Sequence, residues 1–208
     1  MSMTNITVTI SIDSNRTIQT SGSLVYRVAT ASDCHSLAAL INNSYGGELS
    51  RQGWVDRTHL FSAEGRRTNE NTLFNMINSD THVFLVFFGE DDQTLKGCIS
   101  LQHKPGVKTA YIGMFAVRPD LQSRGYGKFI LSAAENYAMN NWNAQYIELS
   151  VITQIPELIS YYERRGYTDT GQRQPYPAHA IPPEATLRDV LELCFLSKCL
   201  KKNEEKPV

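Results

Sequence analysis

The sequence is poor in the features that mark several large functional classes. No apolar run approaches the ~20 residues of a membrane-spanning helix. Residues 1–13 also lack a basic stretch followed by an apolar one, so no span and no secretory leader are expected, and the expected location is the cytoplasm. An excess of either charge is missing too. The 20 Lys and Arg nearly balance the 21 Asp and Glu, the formal net charge is −1, and the scattered basic residues make no field that would gather nucleic acid. The four cysteines, Cys34, Cys98, Cys194 and Cys199, show neither C-x-x-C nor paired metal-ligand spacing and read as reduced core residues, with no metal site. Sequons at Asn5, Asn15 and Asn42 would matter only in a secreted protein.

What is present suits a globular fold. With 41% hydrophobic and 20% charged residues, the 208-residue chain has the composition and length of one domain with a full core. Its most informative stretch runs from Tyr111 to Asn141: an apolar strand to Val117, a short turn with Pro119, a bend Gln122-Ser123-Arg124-Gly125-Tyr126-Gly127, and then a helix. Strand, glycine bend and helix start are the grammar of an anion site. Glycines let successive N–H groups turn inward, and the helix adds its unpaired amides and the positive end of its dipole.

Spacing separates the possible ligands. A P-loop needs G-x-x-x-x-G-K-[ST], but Gly127-Lys128 is followed by Phe129 and no glycine stands five positions before Gly127. A dinucleotide fingerprint needs a third glycine where Ile130 stands, and no acidic residue ends a second strand at the required distance. The pattern V-x-P…Q-x-x-G-x-G does fit, as Val117-Arg118-Pro119 followed by Gln122 to Gly127. It resembles the acyl-CoA motif of the GNAT superfamily of N-acetyltransferases. A second signature of that family, Tyr-x-x-x-Gly-aromatic, is matched by Tyr162-Glu163-Arg164-Arg165-Gly166-Tyr167. One departure is that Ile155-Pro156 stands where many members carry an Asn.

The rest of the chain is consistent with such a fold. Residues 3–12 alternate like a half-buried strand, and residues 1–23 form an extension before the matching region, an edge strand, a dimer contact or a mobile arm. Leu24–Ala29 reads as a strand, and Thr30 to Asp33 as a capping box for a helix bearing Leu37, Leu40 and Ile41 that stops at Gly46-Gly47. Residues 48–68, with Trp54, form a long irregular connection that is either functional or a surface loop anchored by that ring. Leu73, Phe74, Met76 and Ile77 have helical spacing and are expected to pack. Three strand-like runs, Thr81–Phe88, Leu95–His103 and Thr109–Val117, are joined by short turns and predict an antiparallel meander. The helix after the glycine bend carries Ile130, Ala133, Ala134, Tyr137 and Ala138 on one face. A strand over Gln145–Ile152 should lie parallel to its neighbour across that helix. Pro156 opens another helix, which stops at Gly166. Gln172–Leu187, with Pro175, Pro177, Pro182 and Pro183, is expected to be an extended loop, Asp189–Leu200 a closing strand, and residues 201–208 a polar tail.

The resemblance covers residues 24–200. It implies an α/β (α+β) GNAT fold: a mixed central sheet of about six to seven strands, flanked by about four helices, with two parallel strands splayed at the acyl-CoA site. It implies acetyl-CoA (CoA) as cofactor and an amine-bearing acceptor, a small molecule or peptide, as partner. The expected reaction is direct transfer in a ternary complex, and a homodimer is possible. The main chain of Phe115, Ala116 and Val117 would pair with the pantetheine arm. Amides from Ser123 through Arg124, Gly125, Tyr126 and Gly127 to Lys128 would hold the pyrophosphate, with Gln122 matching the motif. Tyr162 would be the general acid for the leaving thiolate, while Tyr161 points elsewhere and packs. The family's strand glutamate is replaced by Tyr111, which leaves Glu148 as a general-base candidate beside His103, a water chain or a loop carboxylate. Cys98 lacks a basic neighbour on its own face and is a poor acyl carrier. A non-catalytic acyl-CoA-binding regulatory module is the alternative.

Overall fold

The structure, a computed structural model, describes residues 19–21, 24–46, 53–55, 60, 66–89, 94–103, 105–177 and 191–200. The strand expected over residues 3–12, the polar tail, and the second half of the proline-rich loop lie outside them.

Among the described residues eight strands form one mixed sheet in the order β1-β2-β3-β4-β5-β6-β8-β7. They are β1 (Gln19–Ser21), β2 (Leu24–Val28), β3 (His82–Gly89), β4 (Leu95–His103), β5 (Thr109–Val117), β6 (Tyr146–Ile152), β7 (Thr168–Pro175) and β8 (Glu192–Cys199). The sheet exceeds the expected strand number because the three-residue β1 adds an edge to β2. Strands β3, β4 and β5 form the expected antiparallel meander, and β6 returns parallel to β5.

Among the described residues four α-helices cover the two faces: α1 (Cys34–Tyr45), α2 (Glu70–Ile77), α3 (Tyr126–Trp142) and α4 (Pro156–Glu163). Alternation along the strands splits the core in two. Leu85, Phe87, Ile99, Leu101, Ile112, Ile147 and Leu149 pack with Ile130, Leu131, Ala134 and Ala138 of α3 and Tyr162 of α4. Phe84, Val86, Cys98 and Ala116 face the other way, against Leu37, Leu40 and Ile41 of α1 and Leu73 of α2. The start of α1 is tied to β2 by a bidentate pair: Arg27 Nη1 and Nη2 donate to Asp33 at 2.7 and 2.8 Å, and the Thr30 amide donates to the same carboxylate at 2.7 Å.

Three expectations about these elements need correction. Phe74 does not pack but is 51% exposed, because α2 buries only the stripe through Leu73. Cys199 is exposed at the end of β8, unlike Cys34, Cys98 and Cys194. The segment from Gln172 is not all loop: Arg173, Gln174 and Pro175 pair with Cys194, Leu193 and Glu192. Propensity hid this strand because β7 is a polar, exposed edge strand with a register shift between Asp169 and Arg173. At the end of an edge strand, Pro175 can lack an N–H without breaking the ladder.

The feature that creates the site lies in β5. Between the pairs Cys98↔Ala116 and Ser100↔Gly113, Met114 and Phe115 stand opposite Ile99 alone. That is a β-bulge, and Met114 takes φ 41° to make it. Pairing of β5 with β6 covers only Thr109↔Tyr146, Ala110↔Ile147 and Tyr111↔Glu148. Beyond Tyr111 the two parallel strands part, and β6 is held on its far side by β8.

Candidate active site

A cavity of about 730 Å³ fills the gap between β5 and β6. It crosses the sheet. From the α3 and α4 face it is bordered by Gly127, Leu149, Tyr161 and Tyr162, and from the α1 and α2 face by Tyr45, Arg67, His82, Gln102 and Tyr111. Trp54 and Val55 of the irregular segment and Tyr176 and Pro177 after β7 add walls.

At one end the glycine bend opens α3. Gly125 is its N-cap at φ 86° and Ser123 stands at φ 61°, the left-handed conformations that curl the chain and turn its amides inward. The amides of Tyr126 and Gly127 at the start of α3 have no carbonyl behind them within the helix. Those of Lys128 and Phe129 donate to the Gly125 carbonyl at 3.1 and 3.4 Å, so the Lys128 amide, contrary to expectation, is not open to a diphosphate. Gly127 has no room for a side chain, since a Cβ there would lie 2.7 Å from Tyr161 Oη. Two buried donors at this end have no partner among the described residues, Tyr161 Oη and Arg165 Nε. The guanidinium carbon of Arg165 sits 3.4 Å from the Tyr161 ring centroid, and Trp54 flanks that ring at 5.7 Å. Lys128 borders the same space. Unpaired amides, unpaired side-chain donors and two cations suit a diphosphate.

Of the residues expected to hold a cofactor, Phe115, Ala116, Val117, Gln122, Ser123, Gly125, Gly127 and Lys128 border the cavity. Arg124 and Tyr126 do not: Arg124 is exposed, and Tyr126 packs against the core. Gln122 is a brace, donating to the Val117 carbonyl at 3.1 Å and accepting from the Trp54 amide at 3.0 Å. The carbonyls of Phe115 and Val117 already accept hydroxyl donors, Tyr45 Oη at 3.1 Å and Ser44 Oγ at 3.2 Å.

Tyr162 borders the cavity although only 8% exposed, held edge-on between Tyr161 and Tyr167. The ring of Tyr167, the last residue of the second signature, is fixed in turn. Its hydroxyl donates to Glu135 Oε1 at 3.0 Å, and Lys198 Nζ pairs with Glu135 Oε2 at 2.7 Å. Burial is the main cause that drives the Tyr167 phenol far above its ordinary value, with the Glu135 charge adding to it. The reading of Tyr161 as packing alone is corrected, since it borders the cavity as well. Adjacent helix positions differ by about 100°, but the gap is wide enough to meet both. The sequence signal was there in the donors Tyr161, Tyr162, Arg164 and Arg165 crowding the end of α4.

Glu148 is the register partner of Tyr111 but does not border the cavity. His103 stacks on Trp142 at 5.2 Å, away from it. Cys98 is wholly buried and its thiol is pushed up to about 12 by burial, so no thiolate is available there. His82, which sequence reasoning passed over, borders the cavity, and burial lowers its pKa from the ordinary 6.5. Its imidazole is neutral at neutral pH. Tyr111 Oη lies 2.6 Å from Ser150 Oγ, and burial raises that phenol above its ordinary value. No Asp or Glu borders the cavity among the described residues.

Residues 51–167, over half of the chain, match the Acetyltransferase (GNAT) family. No curated protein matches the chain in sequence. Among solved structures the chain is similar to a spermidine N-acetyltransferase from Vibrio cholerae in complex with CoA and spermine, with a TM-score of 0.61, 16% identity, and 85% of this chain and 95% of that one covered. It is also similar to the ribosomal-protein-S18-alanine N-acetyltransferase from Escherichia coli, with a TM-score of 0.61, 12% identity, and coverage of 89% and 99%. At these identities the likeness is one of fold. The family match, the splayed strands and the glycine bend opening α3 agree, and the chain belongs to the GNAT family of acetyltransferases.

Proposed function

We propose that the protein transfers an acetyl group from acetyl-CoA to a primary amine by direct attack in a ternary complex, with residues 24–200 as the domain that does so. One observation carries this reading: a single cavity joins the glycine bend, the open edge of β5 and the side chain of Tyr162. When bound, acetyl-CoA supplies an activated acyl group. The chain's own residues supply the rest. The Tyr126 and Gly127 amides, Tyr161 Oη and Arg165 Nε meet the diphosphate, and main-chain amides of β5 past its bulge align the pantetheine arm, the Phe115 and Val117 carbonyls being already held by Tyr45 and Ser44. Tyr162 Oη delivers a proton to the departing sulfur.

His82 takes the proton from the amine. Among the described side chains bordering the cavity it is the one whose ordinary pKa lets it accept a proton near neutral pH. Glu148, outside the lining, would need a relay to do the same.

The test is steady thiol release from acetyl-CoA across a panel of amines, with wild type and Tyr162→Phe compared. Loss of about 10²-fold or more in kcat with CoA affinity kept is the expected result for a general acid. CoA binding without turnover on any amine would sink the enzyme reading and leave a regulatory acyl-CoA-binding module.

A further inference from the structure

The acceptor side of the cavity holds an arginine with no carboxylate partner among the described residues. Arg67 precedes α2 and reaches the cavity from the α1 and α2 face, opposite the helix that the glycine bend opens. Its main chain is fixed. Asn42 Oδ1 of α1 accepts from the Arg67 and Thr68 amides at 2.7 and 3.1 Å, and Asn42 Nδ2 donates to the Thr68 carbonyl at 3.0 Å. Phenols surround the guanidinium: Arg67 Nη1 donates to Tyr176 Oη at 3.3 Å, and its guanidinium carbon lies 5.7 Å from the Tyr45 ring centroid. Tyr111 is close enough for the Arg67 charge to act on its hydroxyl.

This is not a structural ion pair. A guanidinium held by one phenol oxygen and one aromatic ring keeps most of its planar donor fork for an anion that no described residue supplies. The charged side chains that border the cavity are Arg67, Lys128, Arg164 and Arg165, and none of the described ones is acidic. Lys128 and Arg165 belong to the diphosphate end, so Arg67 is the described cation left on the acceptor side, where it attracts an anion and disfavours a polycation, which needs carboxylates around it.

We infer that the acceptor amine carries its own carboxylate, as an amino acid does, and that Arg67 binds it while the amine points across the sheet toward the thioester. This rests on the acetyltransferase reading above and specifies its substrate class. Arg67 selects and positions, whereas Tyr162 and His82 handle protons.

Matched acceptors test it. Phenylalanine and 2-phenylethylamine differ by the carboxylate alone, and spermidine represents the polycation. Wild type is expected to favour the amino acid in kcat/KM by about 10-fold to 100-fold, the worth of a hydrogen-bonded charged pair. In Arg67→Met, KM for the amino acid should rise by about that factor with kcat little changed, while the decarboxylated amine is unaffected. Arg67→Lys should recover part of the loss. Equal or better use of phenylethylamine or spermidine by wild type overturns the inference, as does an equal effect of Arg67→Met on both members of the pair. A binding readout separates the two levels of argument. CoA should raise the unfolding midpoint of both proteins, and N-acetylphenylalanine added to the CoA complex should raise it further only in wild type. A shift with CoA and none with the N-acetyl amino acid removes the substrate class and spares the acetyltransferase. No shift with CoA removes both.

Discussion

At the scale of single residues the site depends, among the described residues, on hydroxyls and one imidazole set in a gap that four cations also border. Gly127 belongs to it by what it lacks. A methyl group there would lie 2.7 Å from Tyr161 Oη, and Tyr161 is pinned between Trp54 and Arg165. Gly127→Ala is therefore expected to weaken CoA binding by about 10-fold, within the ~1–3 kcal/mol that overpacking costs. Calorimetric titration with CoA checks this, and an unchanged Kd would show that the phenol moves freely. His82 supplies the pH dependence. Because burial depresses its pKa, the imidazole stays unprotonated to a lower pH than an exposed histidine. The acid limb of kcat/KM should fall with a midpoint below 6.5, and His82→Gln should abolish that limb. A limb unchanged in His82→Gln would move the base role elsewhere.

At the scale of elements, the bulge at Met114 and the truncated β5–β6 ladder open the gap, and side-chain clamps keep the helices around it in place. The Glu135, Tyr167 and Lys198 group binds α3 to the start of β7 and to β8, which holds the tyrosine motif against the glycine-bend helix. The Arg27–Asp33 pair does the same for α1, from which Ser44 and Tyr45 reach the β5 carbonyls. Burial by itself would raise the Asp33 carboxyl. The Arg27 guanidinium and the Thr30 amide outweigh it, and the group lies below its ordinary 3.8. A depressed carboxyl favours the fold above its unfolded pKa and loses that contribution as pH falls through the folded value. The stability gap between wild type and Asp33→Asn, read from thermal unfolding, should then be constant near neutrality and shrink as pH falls below 3.8. A gap that does not change with pH would mean that packing, not the ion pair, fixes the start of α1.

At the scale of the whole molecule, binding across a split sheet couples the two faces. CoA should raise the unfolding midpoint with the logarithm of its concentration above Kd, adding about 2.7 kcal/mol of stability at 100 times Kd, and NAD or ATP should not. Protection by NAD or ATP with none by CoA would contradict the spacing argument that set the glycine bend apart from dinucleotide sites and P-loops.

The meander, the crossover through α3 and the position of the glycine bend were legible in the chain, because each rests on period, turn residues or glycine spacing that neighbours in sequence carry. The polar edge strand β7 was not, since its residues have no strand pattern and pair only because β8 offers a free edge. The same division holds in the site. Sequence by itself determined the glycine bend and the tyrosine signature, whose character is local: amides, a helix start and one phenol at fixed offsets. Only the tertiary structure decided that Tyr161 turns its hydroxyl toward Gly127 with Arg165 stacked on its ring, and that His82, Arg67 and Tyr111 border one cavity from the same face of the opened sheet. Those residues come from separate elements, and nothing in their own neighbourhoods along the chain records that a bulge in β5 would leave a gap for them to share.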